Sequence, residues 1–266
     1  MFEGISATGR GELAQVLGAR PRVLTVETAT SALGVSARDA AKKLARWAEA
    51  GWLKRVRRGL YIPVPVDAAP DSWSEDPLVL ADAVWSSCYF TGWTAANHWG
   101  LTEQTFRTVL LKTTTRVRAG KQRLLDFEFL VSHIPSNQLW GTVPVWRQDV
   151  RIEMADATRT MLDILDAPAL GGGIRHAADI LGNYLEQHDA AKLVAYADRL
   201  ENRTVFKRLG YLIGALGLDR PDLIGECRKR LSSGTSLLDP DAPAEGPRAT
   251  EWSLRANVHI EKRDAS

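Results

Sequence analysis

The sequence predicts an α+β fold in two parts: a short helical segment closed by a basic hairpin, residues 1–66, and a larger mixed α/β domain with a helical end, residues 67–266. Three observations predict it. Residues 10–50 place apolar side chains at helical spacing, punctuated by glycine stops. After Gly51 the period changes to alternation around an Arg-Arg-Gly tip. Beyond Pro77, strand-like runs come first and helical patterns follow, the order of an α+β or mixed domain.

Composition sets the limits. The chain has 266 residues, 45% hydrophobic and 25% charged, enough for a substantial core. No run of eighteen apolar residues occurs, so no membrane span is expected. The opening "MFEGISATGRGELAQ" lacks the apolar core of a secretion signal. Cys88 and Cys227 lie far apart, which argues against a disulfide framework or a four-cysteine zinc site and fits a cytoplasmic protein. The net charge of +2 hides a segregation: residues 1–66 carry eleven Lys/Arg against five Asp/Glu, a balance of +6, and the remainder balances at −4. Charge gathered in one segment suggests that this segment meets a polyanion.

Each element can be justified in order. "RGELAQVL" reads as a short helix. "TVETATSALG" reads as a second, with Thr25 as N-cap and Gly34 as stop. Ser36 caps a third over about Ala37–Ala50, whose apolar residues Ala40, Ala41, Leu44, Trp47 and Ala48 face a core. Trp52, Leu53, Val56, Leu60 and Ile62 anchor two short strands, with Arg57, Arg58 and Gly59 at the tip. "PVDAAPDSWSEDP" reads as a linker. "PLVLADAVWS" and "GWTAANHWGL" read as helices, and "TVLLKTTT", "LLDFEFLVS" and "TVPVWRQDVRIEMA" as strand-like runs. Helical patterns run from Asp156 to about Leu231, followed by a loop and a last strand in "EWSLRANVHI".

Helix, tight turn, helix and basic hairpin, in that order, make a winged helix-turn-helix. Its second helix enters the DNA major groove and its wing meets phosphates. Ser36, Arg38, Asp39, Lys42, Lys43 and Arg46 lie away from Leu44 and Trp47. Arg38 and Lys42 are four apart and share a stripe. Arginine and lysine can donate to guanine O6 and N7. Lys54, Arg55, Arg57 and Arg58 supply the wing, with Tyr61 at its exit. A basic helix face is usually only solvated; here the turn, the core-facing period and the hairpin coincide.

The second part offers little catalytic chemistry. It has no GxxxxGK[ST], HExxH or GxSxG. Gly171 to Gly173 precede a helix but follow another helix, so they read as an interhelical turn rather than a phosphate cradle. His98, His133, His176, His188 and His259 have no metal-ligand spacing. Trp93, Trp99, Trp140 and Trp146 read as core rather than stacking platforms. In "MADATRTMLDILD", Asp156 can cap a helix and Arg159 can pair with Asp163. Asp163 and Asp166 form a conceivable metal pair, but a capped helix with surface charges is the plainer account. Asp126 and Glu128, read as D-x-E on one strand, would point to one face.

The whole order, from "RRGLYIPV" through "DPLVLADAV" and "YFTGWTAANHWGLT" to "ADATRTMLDILDAPALGGGI", resembles the AbiEi-family antitoxins, transcriptional regulators of bacterial type IV toxin–antitoxin and abortive-infection systems. The likeness spans about residues 20–230. Its more telling element is Asp156, Arg159, Thr160 and Asp163 followed by the glycine run; the Gly59-x-Tyr61 wing exit is common to many winged helices. The resemblance implies a non-enzymatic protein without cofactor. Its N-terminal domain would bind inverted repeats of double-stranded DNA in its own promoter, as a dimer or as adjacent monomers. Its C-terminal domain would counteract a nucleotidyltransferase-like toxin, directly or indirectly. Two other readings stand beside it: a regulator whose second domain senses a ligand, and an enzyme carrying a DNA-targeting module, for which Asp126 and Glu128 would be the carboxylates.

Overall fold

A computed structural model describes residues 4, 6–18, 23–65, 75–147 and 150–262. Most of the expected linker, residues 66–74, lies outside the described residues. The chain is a mixed α+β protein dividing into two compact units, residues 1–86 with 123–127, and 87–122 with 128–266.

In the first unit the order is α1 (Ala7–Leu17), β1 (Leu24–Thr25), α2 (Val26–Leu33), α3 (Ala37–Glu49), β2 (Leu53–Arg57), β3 (Leu60–Pro63) and α4 (Pro77–Val84). The caps form as the residue types dictate. Thr25 and Thr28 make a reciprocal capping box on α2. Gly34 ends α2 in the left-handed region (φ 63°), where a residue with a Cβ is strained. Ser36 Oγ accepts from the Asp39 backbone N–H at 3.2 Å and donates to the Asp39 carboxylate at 2.7 Å. The short turn between α2 and α3 is thereby fixed at both ends. Ser36→Ala should lower stability by about 0.5–2 kcal/mol in a thermal melt, and an unchanged melt would show the cap to be idle.

Leu24, Ala29, Ala40, Leu44, Trp47, Leu53 and Tyr61 pack with Leu13 and Val16 into one core. The sheet order is β1-β3-β2, antiparallel throughout. The β2–β3 register shifts between Arg55 and Arg57, a bulge that raises local twist. This arrangement fits a winged helix-turn-helix.

Residues 88–155 form a mixed sheet in the order β6-β7-β5-β4-β9-β8. Its strands are β4 (Cys88–Phe90), β5 (Thr108–Thr113), β6 (Gly120–Leu124), β7 (Phe127–His133), β8 (Thr142–Arg147) and β9 (Val150–Ala155). β5 and β7 run parallel, as do β4 and β9. The run "LLDFEFLVS" is not one strand. It breaks at Leu125 (φ 54°) and Asp126 into a turn between β6 and β7. "TVPVWRQDVRIEMA" is the β8–β9 hairpin, whose tip, residues 148–149, lies outside the described residues.

The helices are α5 (Gly92–His98), α6 (Ala157–Asp166), α7 (Ile174–Gln187), α8 (Ala190–Leu200), α9 (Thr204–Leu216) and α10 (Pro221–Arg228). They bury Met161, Leu165, Ile180, Phe206, Leu212 and their neighbours in a common core. The stretch after α10 is not only loop. β10 (Ser236–Leu237), β11 (Arg248–Ala249) and β12 (Leu254–Arg255) form a small sheet. Two contacts lock it to the helices. The buried Arg208 donates to the α6 C-terminal carbonyls of Leu165 and Asp166 at 2.8 Å each, and to Leu237 and Leu238. Asp239 accepts from the first backbone N–H of α7, at Ile174, at 2.9 Å. Each satisfies helix-end groups that have no partner within the helix.

Candidate nucleic-acid interface

The candidate interface is the outer face of α3 and the hairpin that follows it. Ala40, Leu44 and Trp47 are buried. Arg38, Lys42 and Arg46, spaced four apart, are exposed on the opposite side. Arg55, Arg57 and Arg58 are exposed on the hairpin, with Arg58 in the turn. Among the described residues, none of these six cations forms an ion pair, so their charge is available to an external anion.

The other residues of the expected set have internal tasks. Ser36 and Asp39 cap α3 against each other. Lys43 is half-buried and pairs with Glu12 at 2.6 Å, bracing α3 on α1. Tyr61 is a core side chain, paired in register with Leu24 and Arg55. Lys54 is half-buried and engaged within the protein.

The second motif is buried. Asp156 caps α6 as its position suggests, accepting from the Arg159 N–H at 2.7 Å. It also receives Lys192 Nζ at 3.1 Å and the Tyr196 hydroxyl at 2.9 Å. Thr160 donates back to the Ala155 carbonyl. Arg159 and Asp163 do pair, Nε to Oδ1 at 3.0 Å, but both are 0% exposed. Asp163 further accepts from Lys112 Nζ at 2.9 Å, Thr91 Oγ1 at 2.6 Å and Tyr89 Oη at 3.1 Å. Arg159 lies 4.1 Å over the Trp140 ring and donates to Tyr89 Oη. Burial alone would raise the Asp163 carboxyl; the Lys112 and Arg159 charges and the Thr91 hydroxyl outweigh it and hold the group below the ordinary carboxylate range. Burial and the neighbouring carboxylate push the Tyr89 phenol far up.

The surface-charge reading of α6 is therefore overturned. A carboxylate saturated by two cations and two hydroxyls has no capacity left for a metal ion. Asp166 is also committed, accepting from Asn202 at 2.6 Å. Among the described residues, no group of three His, Cys, Asp or Glu is placed to hold a metal. Asp126 sits in the turn and Glu128 within β7, so the one-strand carboxylate pair does not exist.

The glycine run behaves as a turn. Gly172 and Gly173 have φ of 85° and 99°, and Asp239 occupies the α7 N-terminus that a phosphate would need. His176 is buried between the Gly171 carbonyl (2.6 Å) and Thr102 Oγ1 (2.8 Å). Trp140 is core; Trp93 and Trp99 are half-buried and donate to the Thr108 and Ala155 carbonyls. Trp146 is the exception at 67% exposed on β8, an edge strand with one wet face. Cys88 and Cys227 are buried and form no disulfide. No helix of the described residues is long and apolar enough to cross a membrane.

Comparison with known proteins agrees with this architecture. The fold is similar to the crystal structure of the RV2827C protein from Mycobacterium tuberculosis, with a TM-score of 0.65 over 95% of this chain and 92% of that one. The identity is 18%, so the likeness concerns the fold. No curated protein matches the sequence. The helices and hairpin that carry the exposed cations coincide with a family match: residues 12–64 of this chain match the family described as transcriptional regulator, AbiEi antitoxin.

Proposed function

We propose that this protein is a cytoplasmic, non-enzymatic DNA-binding antitoxin that represses its own operon and counteracts a nucleotidyltransferase-like toxin. Residues 1–66 would be the DNA-binding domain and residues 67–266 the antitoxin-like domain. The observation that carries the reading is the arrangement of unpaired cations: Arg38, Lys42 and Arg46 along one exposed stripe of a capped helix, with Arg55, Arg57 and Arg58 on the adjoining hairpin. A helix of this width fits the major groove, and the hairpin reaches phosphates beside it. The site would be an inverted repeat, taken by a dimer or by two monomers side by side. The match over residues 12–64 supports the regulator and antitoxin roles. The toxin partner rests on the family resemblance.

A shift titration on the upstream DNA, against a scrambled duplex at two salt concentrations, tests this. Tight, sequence-selective binding that Lys42→Ala/Arg58→Ala abolishes is the expected result. Equal, weak binding to both duplexes would overturn it. Within the interface the two elements should separate. Arg57→Ala/Arg58→Ala should weaken all duplexes alike and flatten the log–log salt slope by about 0.9 for each phosphate no longer neutralised. Arg38→Ala or Lys42→Ala should instead cost about 1–3 kcal/mol at particular base pairs. Identical behaviour of helix and hairpin variants across sequences would sink that division of roles.

A further inference from the structure

The second unit, nearly neutral in sum, contains a local concentration of positive charge. Residues 104–125 hold six Lys/Arg and no Asp or Glu. One of the six, Lys112, is spent inside the protein on Asp163. Arg116 and Arg118 are exposed on the connection between β5 and β6, and Lys121 is exposed on β6 itself. Among the described residues none of these three forms an ion pair. The local hydrogen bond there, Gln122 Nε2 to the Arg118 carbonyl at 2.9 Å, uses backbone and leaves the Arg118 guanidinium unengaged.

Two plainer accounts fall short. Solvated surface cations are normally interspersed with acids, and here no acid occurs across twenty-two residues. Sheet edges carry lysines to block edge-to-edge pairing, and β6 is an edge strand. That accounts for Lys121. It does not account for Arg116 and Arg118, which precede the strand. Exposed, unpaired guanidinium groups on a backbone free of acids suit the oxygens of successive phosphates, which arginine binds through two parallel N–H donors.

We propose that Arg116, Arg118 and Lys121 form a second phosphate-binding surface, on the second unit, for the backbone of double-stranded DNA. It deepens the regulator reading and rests on it. The surface adds affinity and salt dependence and reads no sequence, because the phosphates are the same at every base pair. The first unit selects the site and the second strengthens the hold.

The test compares full-length wild type with Arg116→Ala/Arg118→Ala/Lys121→Ala on the upstream duplex and a scrambled one, across a salt series. The expected result is a log–log slope flatter by about 2–3 in the variant, at about 0.9 for each phosphate, on both duplexes, with the ratio of the two affinities unchanged. Near-identical thermal melts would show that these exposed substitutions leave the fold intact. An unchanged slope and affinity would overturn the proposal, as would a weakening confined to the upstream duplex. It would fall equally if the variant kept duplex DNA and lost a structured RNA of the same length. The outcomes stay separable: wild type binding both duplexes equally would sink the regulator reading, while the slope difference on scrambled DNA would still decide the second surface.

Discussion

Asp163→Asn is expected to destabilise the protein by about 3–5 kcal/mol, read as a lower urea midpoint at constant m-value. The neutral amide keeps the shape but withdraws the charge that Arg159 and Lys112 share. Two cations would then sit together beside a group that cannot neutralise them. The loss should exceed that of any surface pair, because Arg159 and Asp163 are wholly removed from water and a broken buried pair cannot rehydrate. A change under about 1 kcal/mol would show that the network contributes nothing. The pH dependence has a definite sign. A carboxyl held below its unfolded value stabilises fully above about pH 4 and loses that contribution as pH falls through the lower folded value. The gap between wild type and Asp163→Asn should therefore narrow in acid. Replacing Asp163, Arg159 and Lys112 together by Leu, Met and Met should recover most of the loss, since an apolar trio leaves no stranded charge.

Gly210→Ala should be the second large effect. A Cβ at Gly210 would lie 2.1 Å from Cζ3 and 2.2 Å from Cη2 of Trp252, far inside van der Waals contact. Alanine is the better helix former by about 1 kcal/mol, which favours the variant. The clash wins, because the indole is buried and must leave its place for the methyl to fit. Overpacking of this kind costs about 1–3 kcal/mol, with faster hydrogen exchange over residues 248–260 as its local signature. Trp252→Leu in the Gly210→Ala background should restore part of the stability, whereas in wild type it should only lower it. Two substitutions that simply add would remove the packing argument.

What is legible in the sequence follows the range of the forces involved. The caps at Thr25, Ser36 and Asp156 act within three residues, and each forms where its residue type announces it. The period of α3 separates Arg38 and Lys42 from Leu44 and Trp47 for the same reason. The break in "LLDFEFLVS" is hidden, because Leu125 carries no chemical sign of a positive φ. The three-residue strand Cys88–Phe90 is too short to show a period. The partners of Asp163 are out of reach altogether: Lys112, Thr91 and Tyr89 are 51, 72 and 74 residues away in sequence. A spacing that licenses one pair, Arg159 with Asp163, cannot reveal whether the pair faces water or the core. Tyr61 shows the same ambiguity from the other side, a wing-exit residue that turns inward. The basic run at residues 104–125 disappears when charge is summed over the whole second part.

The clasp made by Arg208, Asp239 and Trp252 has a consequence for the order in which the molecule comes into being. Synthesis delivers the first unit's helices and hairpin early, and domains tend to fold as they emerge from the ribosome. The second unit cannot close on that schedule. The last turn of α6 and the first turn of α7 wait for partners supplied by α9 and by residues 237–239, and α9 waits for the indole at position 252. Until translation has passed that point, the helices of the second unit lack their final packing. The core around α6, α7 and α9 is thus completed only after residue 252 has been made.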